Sequence, residues 1–349
     1  MDSTSDGNTN PAAAAIREEI ARSGPISFAR FMELALYHPD HGYYRYSPIG
    51  KRGDFFTSVS VGNLFGRMLA FYLERKLDSL NAPLQIIEAG ANDGSLARDI
   101  LDWFGAREVR YIIIEPISRL RDLQRKTLAG LNIQWFTSLD ELSSFEGAFI
   151  SNELLDAFPV QVFSWNRPQN QWQELGVNEN LQWTPLRQSS TVNSAPSHFK
   201  ELAPLEPYLP DGYRIELSPS AESFWHQAAA KLQRGLLLAI DYGDEHLWTP
   251  DRPRGTLRAY HNHKLVDNVL ANPGQQDITA SVNFARIRAV GEHAGLASDP
   301  LETQAKFLAS FAGDYFKKEL PQTRQFQTLT HPEHLGRAFK VLGQFRINS

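Results

Sequence analysis

Residues 84–96 read LQIIEAGANDGSL, and residues 109–115, one helix-length further on, read VRYIIIE. Each segment is a short apolar run without polar alternation, the pattern of a strand buried on both faces. Ser95 to Trp103 between them, and Arg119 to Leu128 after the second, carry helical spacing. Two more runs of the same kind follow, GAFISNE (147–153) and GLLLAIDYG (235–243). Strands alternating with helices predict βαβ units and a doubly wound α/β fold around a parallel sheet. In such a sheet ligands lie beyond the carboxyl ends of the strands, so the residues that end them are the first candidates for a site.

The first strand ends in Glu88-Ala-Gly90-Ala-Asn-Asp93-Gly94. Glycines at 90 and 94 permit a tight strand-to-helix turn and close approach of a ligand to the backbone; a plain glycine turn would look the same. The second strand ends in Glu115, 21 positions after Gly94. An acid about 20 residues beyond the glycines is where ribose hydroxyls are bound. Gly-x-x-x-Gly is not the Gly-x-Gly-x-x-Gly that seats a pyrophosphate on a helix N-terminus. A cofactor with a ribose, no phosphate and positively charged groups that suit Glu88 and Asp93 is therefore expected. S-adenosylmethionine (SAM) meets that description better than NAD, and an NAD-dependent oxidoreductase remains the weaker alternative.

Outward from this centre, residues 1–15 are polar and read as a disordered leader, with neither an apolar signal core nor an Arg-rich presequence pattern. Residues 16–36 predict two helices broken at Gly24-Pro25, the second capped by Ser27. An aromatic, Gly- and Pro-rich loop leads to a helix within 61–80, so that 16–80 reads as a helical extension with a cofactor-covering loop. From 81 to 349 the chain reads as the main domain, with alternating patterns at about 160–215 predicting an antiparallel insertion.

With 42% hydrophobic residues a sizeable core can be buried, and a net charge of -5 gives no field that would attract nucleic acid. No apolar run reaches the roughly 20 residues of a membrane span. The chain has no cysteine, which excludes disulfides, thiolate metal sites and cysteine nucleophiles, and fits a cytoplasmic setting. His261 and His263 share a strand spacing but lack a third ligand, so no metal is expected. Trp165, Trp172 and Trp183 read as core and sheet fillers.

Nine segments together carry a family resemblance, among them GPISFARFMELALYHPDHGYY (24–44), GDFFTS (53–58), EAGANDGSL (88–96), IIIEP (112–116), SNELLDAFPV (151–160), IELSPSA (215–221), GTLRAY (255–260) and PGQQDITASVNF (273–284). In this order they resemble the MidA-type SAM-dependent methyltransferases. The resemblance implies a class I methyltransferase core and SAM held by the first-strand turn and Glu115. It also brings in Asp54, Thr57 and Ser58 from the aromatic loop, and Asn152 at the end of the GAFISNE run, as cofactor contacts. A protein substrate, with arginine as the methylated residue, follows from the resemblance alone. The chain has Ala91-Asn92-Asp93-Gly94 where many members carry Pro-Gly-Arg-Gly, Val59-Ser60 for Pro-Glu, and Ser281 and Asn283 for a His and an Asp.

Methyl transfer to an amine or guanidine needs a carboxylate that holds the cation and takes up its proton. Glu153 and Asp156 stand where an acceptor would meet the methyl and are the catalytic candidates; turn capping and solvent exposure are the plain alternatives. Asp241, Tyr242, Arg258, Tyr260 and Asp277 are candidates for the acceptor side. A SAM-binding assembly factor that docks a partner without catalysis is the competing expectation.

Overall fold

Strand β1 (Gln85–Ala89) is buried at every position, the polar Gln85 and Glu88 included. In the computed structural model, which describes residues 10–46, 57–187, 202–262 and 264–347, β1 is flanked by β2 (Arg110–Ile114) and β4 (Phe145–Asn152). The sheet continues outward through β3 (Ile133–Phe136) on one side and β5 (Leu232–Asp244) on the other, all parallel. Strand β6 (Phe339–Arg346) pairs antiparallel with β5 and in turn with the short strands Ala297–Ser298 and Glu302–Thr303. The order β3-β2-β1-β4-β5-β6 places the reversal of winding between β1 and β4, the crevice where doubly wound sheets bind ligands.

Both sheet faces are covered, which is why the strands could be apolar throughout. Ile86, Tyr111, Ile113 and Ile150 pack with the helices Leu64–Ser79, Ser95–Phe104 and Gln304–Lys318. Phe149 belongs to the opposite face and meets Phe224 and Trp225 of the helix Pro219–Lys231.

The chain divides into two compact units whose boundaries do not follow linear order. The parallel sheet belongs to the unit made from Pro48–Ala157, Ser220–Leu247 and Ser281–Ser349. The other unit combines Met1–Ser47, Phe158–Pro219 and Trp248–Ala280. It contains an antiparallel sheet in which Gln171–Val177 pairs with Ile26–Ser27, Gln161–Asn166 and Trp183–Pro185, and Gln161–Asn166 also with Arg214–Leu217. A three-stranded sheet of Lys264–Val266, Arg258–His261 and Asp277–Thr279 completes it. The buried Trp165 and Trp172 fill its core, and Trp183 stacks on Phe28.

Local structure differs from the sequence expectations in three places. A helix begins at Pro11, within the stretch expected to be a leader: the Asn10 side chain accepts the Ala13 amide, proline takes the first turn, and Ala12, Ala13 and Ile16 are buried. The run DITASVNFARI (277–287), whose pattern reads as a strand, is strand only at Asp277–Thr279 and Val282–Asn283, because the Asn283 side chain accepts the Arg286 amide and starts the helix Phe284–His293. Strand β6 went unread because Gly343 and Gln344 interrupt its apolar pattern; Gln344 is fully buried and bonded to Trp225, Arg288 and Ser298. Ser27 caps Phe28–Tyr37 as expected. Among the described residues no helix is long and apolar enough to cross a membrane.

Candidate active site

The register of the parallel strands sets a row of side chains along one edge of the sheet. The Gly90 amide donates to the Ile114 carbonyl, the Glu115 amide to Phe136, and the Glu153 amide to Ile240. Glu115, Gly90, Asn152, Glu153 and Asp241 therefore stand at nearly one level at the carboxyl ends of β2, β1, β4 and β5, on either side of the switch point.

At β1 the chain turns through Gly90 (φ 71°), Asn92 (φ 47°) and Gly94 (φ 83°) before the helix Ser95–Phe104. A Cβ on Gly90 would lie 2.8 Å from Leu154 Cδ1, so packing as well as backbone conformation requires glycine there. The Asp93 carboxylate accepts the Ser95 amide at 2.9 Å and serves the start of that helix. Glu88 is placed otherwise than expected: it is buried in the sheet face between Ile113 and Ile150, where the Tyr111 hydroxyl donates to it at 2.6 Å. Burial pushes its carboxyl up to about 7, with Tyr111 opposing. Its carboxyl thus lies within the sheet layer, with Tyr111 as its hydrogen-bond donor among the described residues.

Glu115 is 3% exposed. One carboxyl oxygen accepts the Ile117 amide at 3.0 Å, the other the Gln124 side chain at 3.2 Å. Burial raises it to about 7, opposed by those bonds and by Arg121. A carboxylate has about four acceptor sites, so each oxygen keeps capacity for one more donor, which fits the two hydroxyls of a ribose.

Across the switch point, Glu153 has φ 52°, a conformation that a non-glycine residue adopts only when its surroundings impose it. Asp241 supplies the constraint. Fully buried, it accepts the amides of Leu154 (3.1 Å), Leu155 (2.8 Å) and Asp156 (3.4 Å) on one oxygen and that of Tyr242 (2.8 Å) on the other. An acceptor-side role was expected for Asp241; the structure puts its carboxylate to work on the backbone of the Glu153 turn instead. Tyr242 beside it packs against Phe339.

Glu153 keeps some exposed surface although protein surrounds it closely. Burial, then the nearby Asp156, push it up to about 8, with the Asn152 side chain and the Ser58 backbone amide opposing. Burial and Glu153 likewise push Asp241 up. Of these two acids Glu153 holds the proton, because Asp241 has four amide donors to stabilise its anion. Asn152 donates to Glu153 at 3.2 Å, while its own Oδ1 is buried without a hydrogen-bond partner among the described residues. An unpaired acceptor beside carboxylates suits a ligand carrying N–H donors and positive charge.

The aromatic-loop candidates divide. Asp54 lies outside the described residues, as does His263. Thr57 is engaged locally, accepting the Ser60 amide and hydroxyl and donating its own amide to Ser60. The Ser58 hydroxyl is buried on Gln304 at 2.8 Å, so only its backbone reaches towards Glu153. Arg258, Tyr260 and Asp277 belong to the other unit. There Arg258 is exposed, Tyr260 half-buried, and Asp277 buried with the Tyr44 hydroxyl donating to it at 3.2 Å. Among the described residues no group of three or more His, Asp or Glu side chains could hold a metal ion.

A buried acid with acceptor capacity to spare, next to a glycine turn at the switch point of a doubly wound sheet, suits a nucleoside-bearing ligand. Residues 68–301 match the family described as S-adenosyl-L-methionine-dependent methyltransferase, and the chain belongs to that family. SAM is the family's cofactor, and the donor set at Glu115, Gly90 and Asn152 fits it. The chain is similar to the mitochondrial protein arginine methyltransferase NDUFAF7 homologue of Caenorhabditis elegans, with 29% identity covering 90% of this chain and 79% of that one. It is 27% identical to Homo sapiens NDUFAF7, over 95% of this chain and 83% of the human one. Among solved structures, a COG1565 superfamily member from Burkholderia thailandensis bound to S-adenosyl-homocysteine superposes with TM-score 0.84 at 30% identity, covering 97% of this chain and 93% of its own.

Proposed function

We propose that this chain transfers methyl groups from SAM to a side-chain nitrogen of a protein, arginine being the residue named for its relatives. The observation that carries this reading is Glu153: a buried yet partly accessible carboxyl next to Asp156, held in a strained turn at the end of β4. Glu115 takes the ribose hydroxyls, Gly90 and Gly94 leave room for the cofactor, and Asn152 Oδ1 accepts from its ammonium. SAM supplies an electrophilic methyl on a sulfonium that leaves as a neutral thioether. A cationic acceptor beside Glu153 favours the ionised form of its carboxyl, which gives up its proton to solvent; the carboxylate then holds the acceptor and orients its nitrogen. Each transfer forms one N–C bond, breaks one C–S bond and releases one proton, which Glu153 accepts. A carboxyl raised towards 8 is matched to proton transfer near neutral pH.

Incubation with methyl-labelled SAM and cognate cell lysate, followed by amino-acid analysis of the labelled protein, tests the reading. Label should appear in methylated arginine. Glu153→Gln should lower kcat about 100-fold and leave S-adenosylhomocysteine binding unchanged. Absence of label above a Glu115→Ala control would leave a cofactor-binding docking protein and sink the enzymatic reading.

A further inference from the structure

The helix Ser118–Thr127 is polar almost throughout and buries only Leu120 and Gln124. Four residues apart, the two share the face turned inward. An apolar residue would be the ordinary occupant of the second position, yet Gln124 is fully buried with its hydrogen-bonding capacity in use. One side-chain nitrogen donates to the Asn92 carbonyl at 3.0 Å and to the Glu115 carboxylate at 3.2 Å, and Oε1 accepts the Trp135 indole N–H at 3.1 Å. The amide cannot be reversed, since its oxygen would then face two other acceptors. The helix is pressed against the glycine turn at this point: a Cβ on Gly94 would lie 3.4 Å from Gln124 Cα.

We propose that Gln124 is a positioning residue for the cofactor, a single buried amide that fixes the ribose acid Glu115 and the glycine turn relative to one another. Asn92, with φ 47°, is the residue of that turn whose conformation most needs an external hold. Gln124 grips its carbonyl and, with the second hydrogen, sets the rotation of the Glu115 carboxylate. Together with the Ile117 amide it occupies one acceptor site on each carboxyl oxygen, so the two left over face the same ligand. Both halves of the ribose and turn cradle are thus formed before the cofactor arrives, which lowers the ordering cost of binding.

This inference rests on the reading of Glu115 as the ribose acid, and the experiment separates the two. Binding of S-adenosylhomocysteine and of its 2′-deoxy analogue is measured by calorimetry on the full chain. Gln124→Met keeps the length of the side chain and removes both donors; Gln124→Glu keeps an acceptor for Trp135 and replaces the donors. The wild type should prefer the ribose compound about tenfold, the value of one hydrogen bond to a charged acceptor. In each folded variant S-adenosylhomocysteine binding should weaken about tenfold or more, and the preference over the deoxy analogue should collapse towards one. An unchanged affinity, or a weakened affinity with the preference intact, overturns the positioning role. If the wild type and Glu115→Ala bind alike, the reading of Glu115 falls, and Gln124 with it.

Discussion

Glu115 and Asp241 are both acids at or near the carboxyl ends of parallel strands, both almost completely buried and both pushed up to about 7 by that burial. Their hydrogen bonds separate them. Asp241 takes four backbone amides, three on one oxygen and one on the other, and with no exposed surface its carboxylate is committed to the chain's own backbone. Glu115 takes one backbone amide and one side-chain amide and retains an acceptor on each oxygen. A strand-end acid in this fold is thus either a ligand hook or a backbone clamp, and the number of protein donors it already satisfies distinguishes the two.

The comparison breaks most visibly if Asp241→Ala is tolerated. Removing this carboxylate strands several buried amides and frees the strained Glu153 turn. Unfolding free energy should fall by about 3–5 kcal/mol in urea titration. A variant that lost methylation while keeping wild-type stability would mean that Asp241 faces substrate after all. Glu115→Ala should show the reverse profile. Losing two hydrogen bonds from ribose to a charged acceptor should weaken S-adenosylhomocysteine binding about 100-fold. Stability should move by only about 1 kcal/mol, because relief of the buried acid offsets the lost protein bonds. Gly90→Ala probes the ground between them. With φ 71° and Leu154 Cδ1 2.8 Å from the added methyl, it should cost about 1–3 kcal/mol of stability; a variant as stable as the wild type would show that Leu154 moves freely.

The placement of Glu115 at a strand end near the glycine turn was legible in the sequence because its signal is local: a glycine turn and an acid at fixed spacing. Four of the five parallel strands were legible for the same reason, as short, mainly apolar runs; β3 (Ile133–Phe136), an outer strand with Gln134 exposed, carries no such signal. Asp241 also ends such a run, but which backbone its carboxylate meets depends on pairing with a segment about 85 residues away, and no periodicity records that. Gln124 is one amide in a helix full of polar residues, and only its burial singles it out. Asp277 illustrates the same limit. Its contact with Tyr44 joins segments 233 residues apart, which no local pattern records. Asn283 caps a helix here, a local role that an Asn fills well.

The smallest expected effect concerns pH, and its sign follows from the same burial. Glu88, Glu115 and Asp241 are pushed up to about 7 and Glu153 to about 8, from ordinary values of 4.5, 4.5, 3.8 and 4.5. Between about pH 4.5 and 8 the folded chain therefore binds more protons than the unfolded one, and stability without cofactor declines as pH rises through that window. Acids stabilised by ion pairs give the opposite slope. Glu153 has the highest value, so the upper end of the decline, from pH 7 to 8, belongs mainly to it. Because it keeps some contact with water, its share should be modest, roughly 1–2 kcal/mol. Urea titrations at half-unit steps from pH 5.5 to 8.5 should show a shallower decline for Glu153→Gln than for the wild type. Parallel curves would mean that Glu153 is already ionised at neutral pH and that the proton rests on Asp241. A clamp satisfied by four amides would then be the group that yields to burial, and counting donors would no longer tell hooks from clamps.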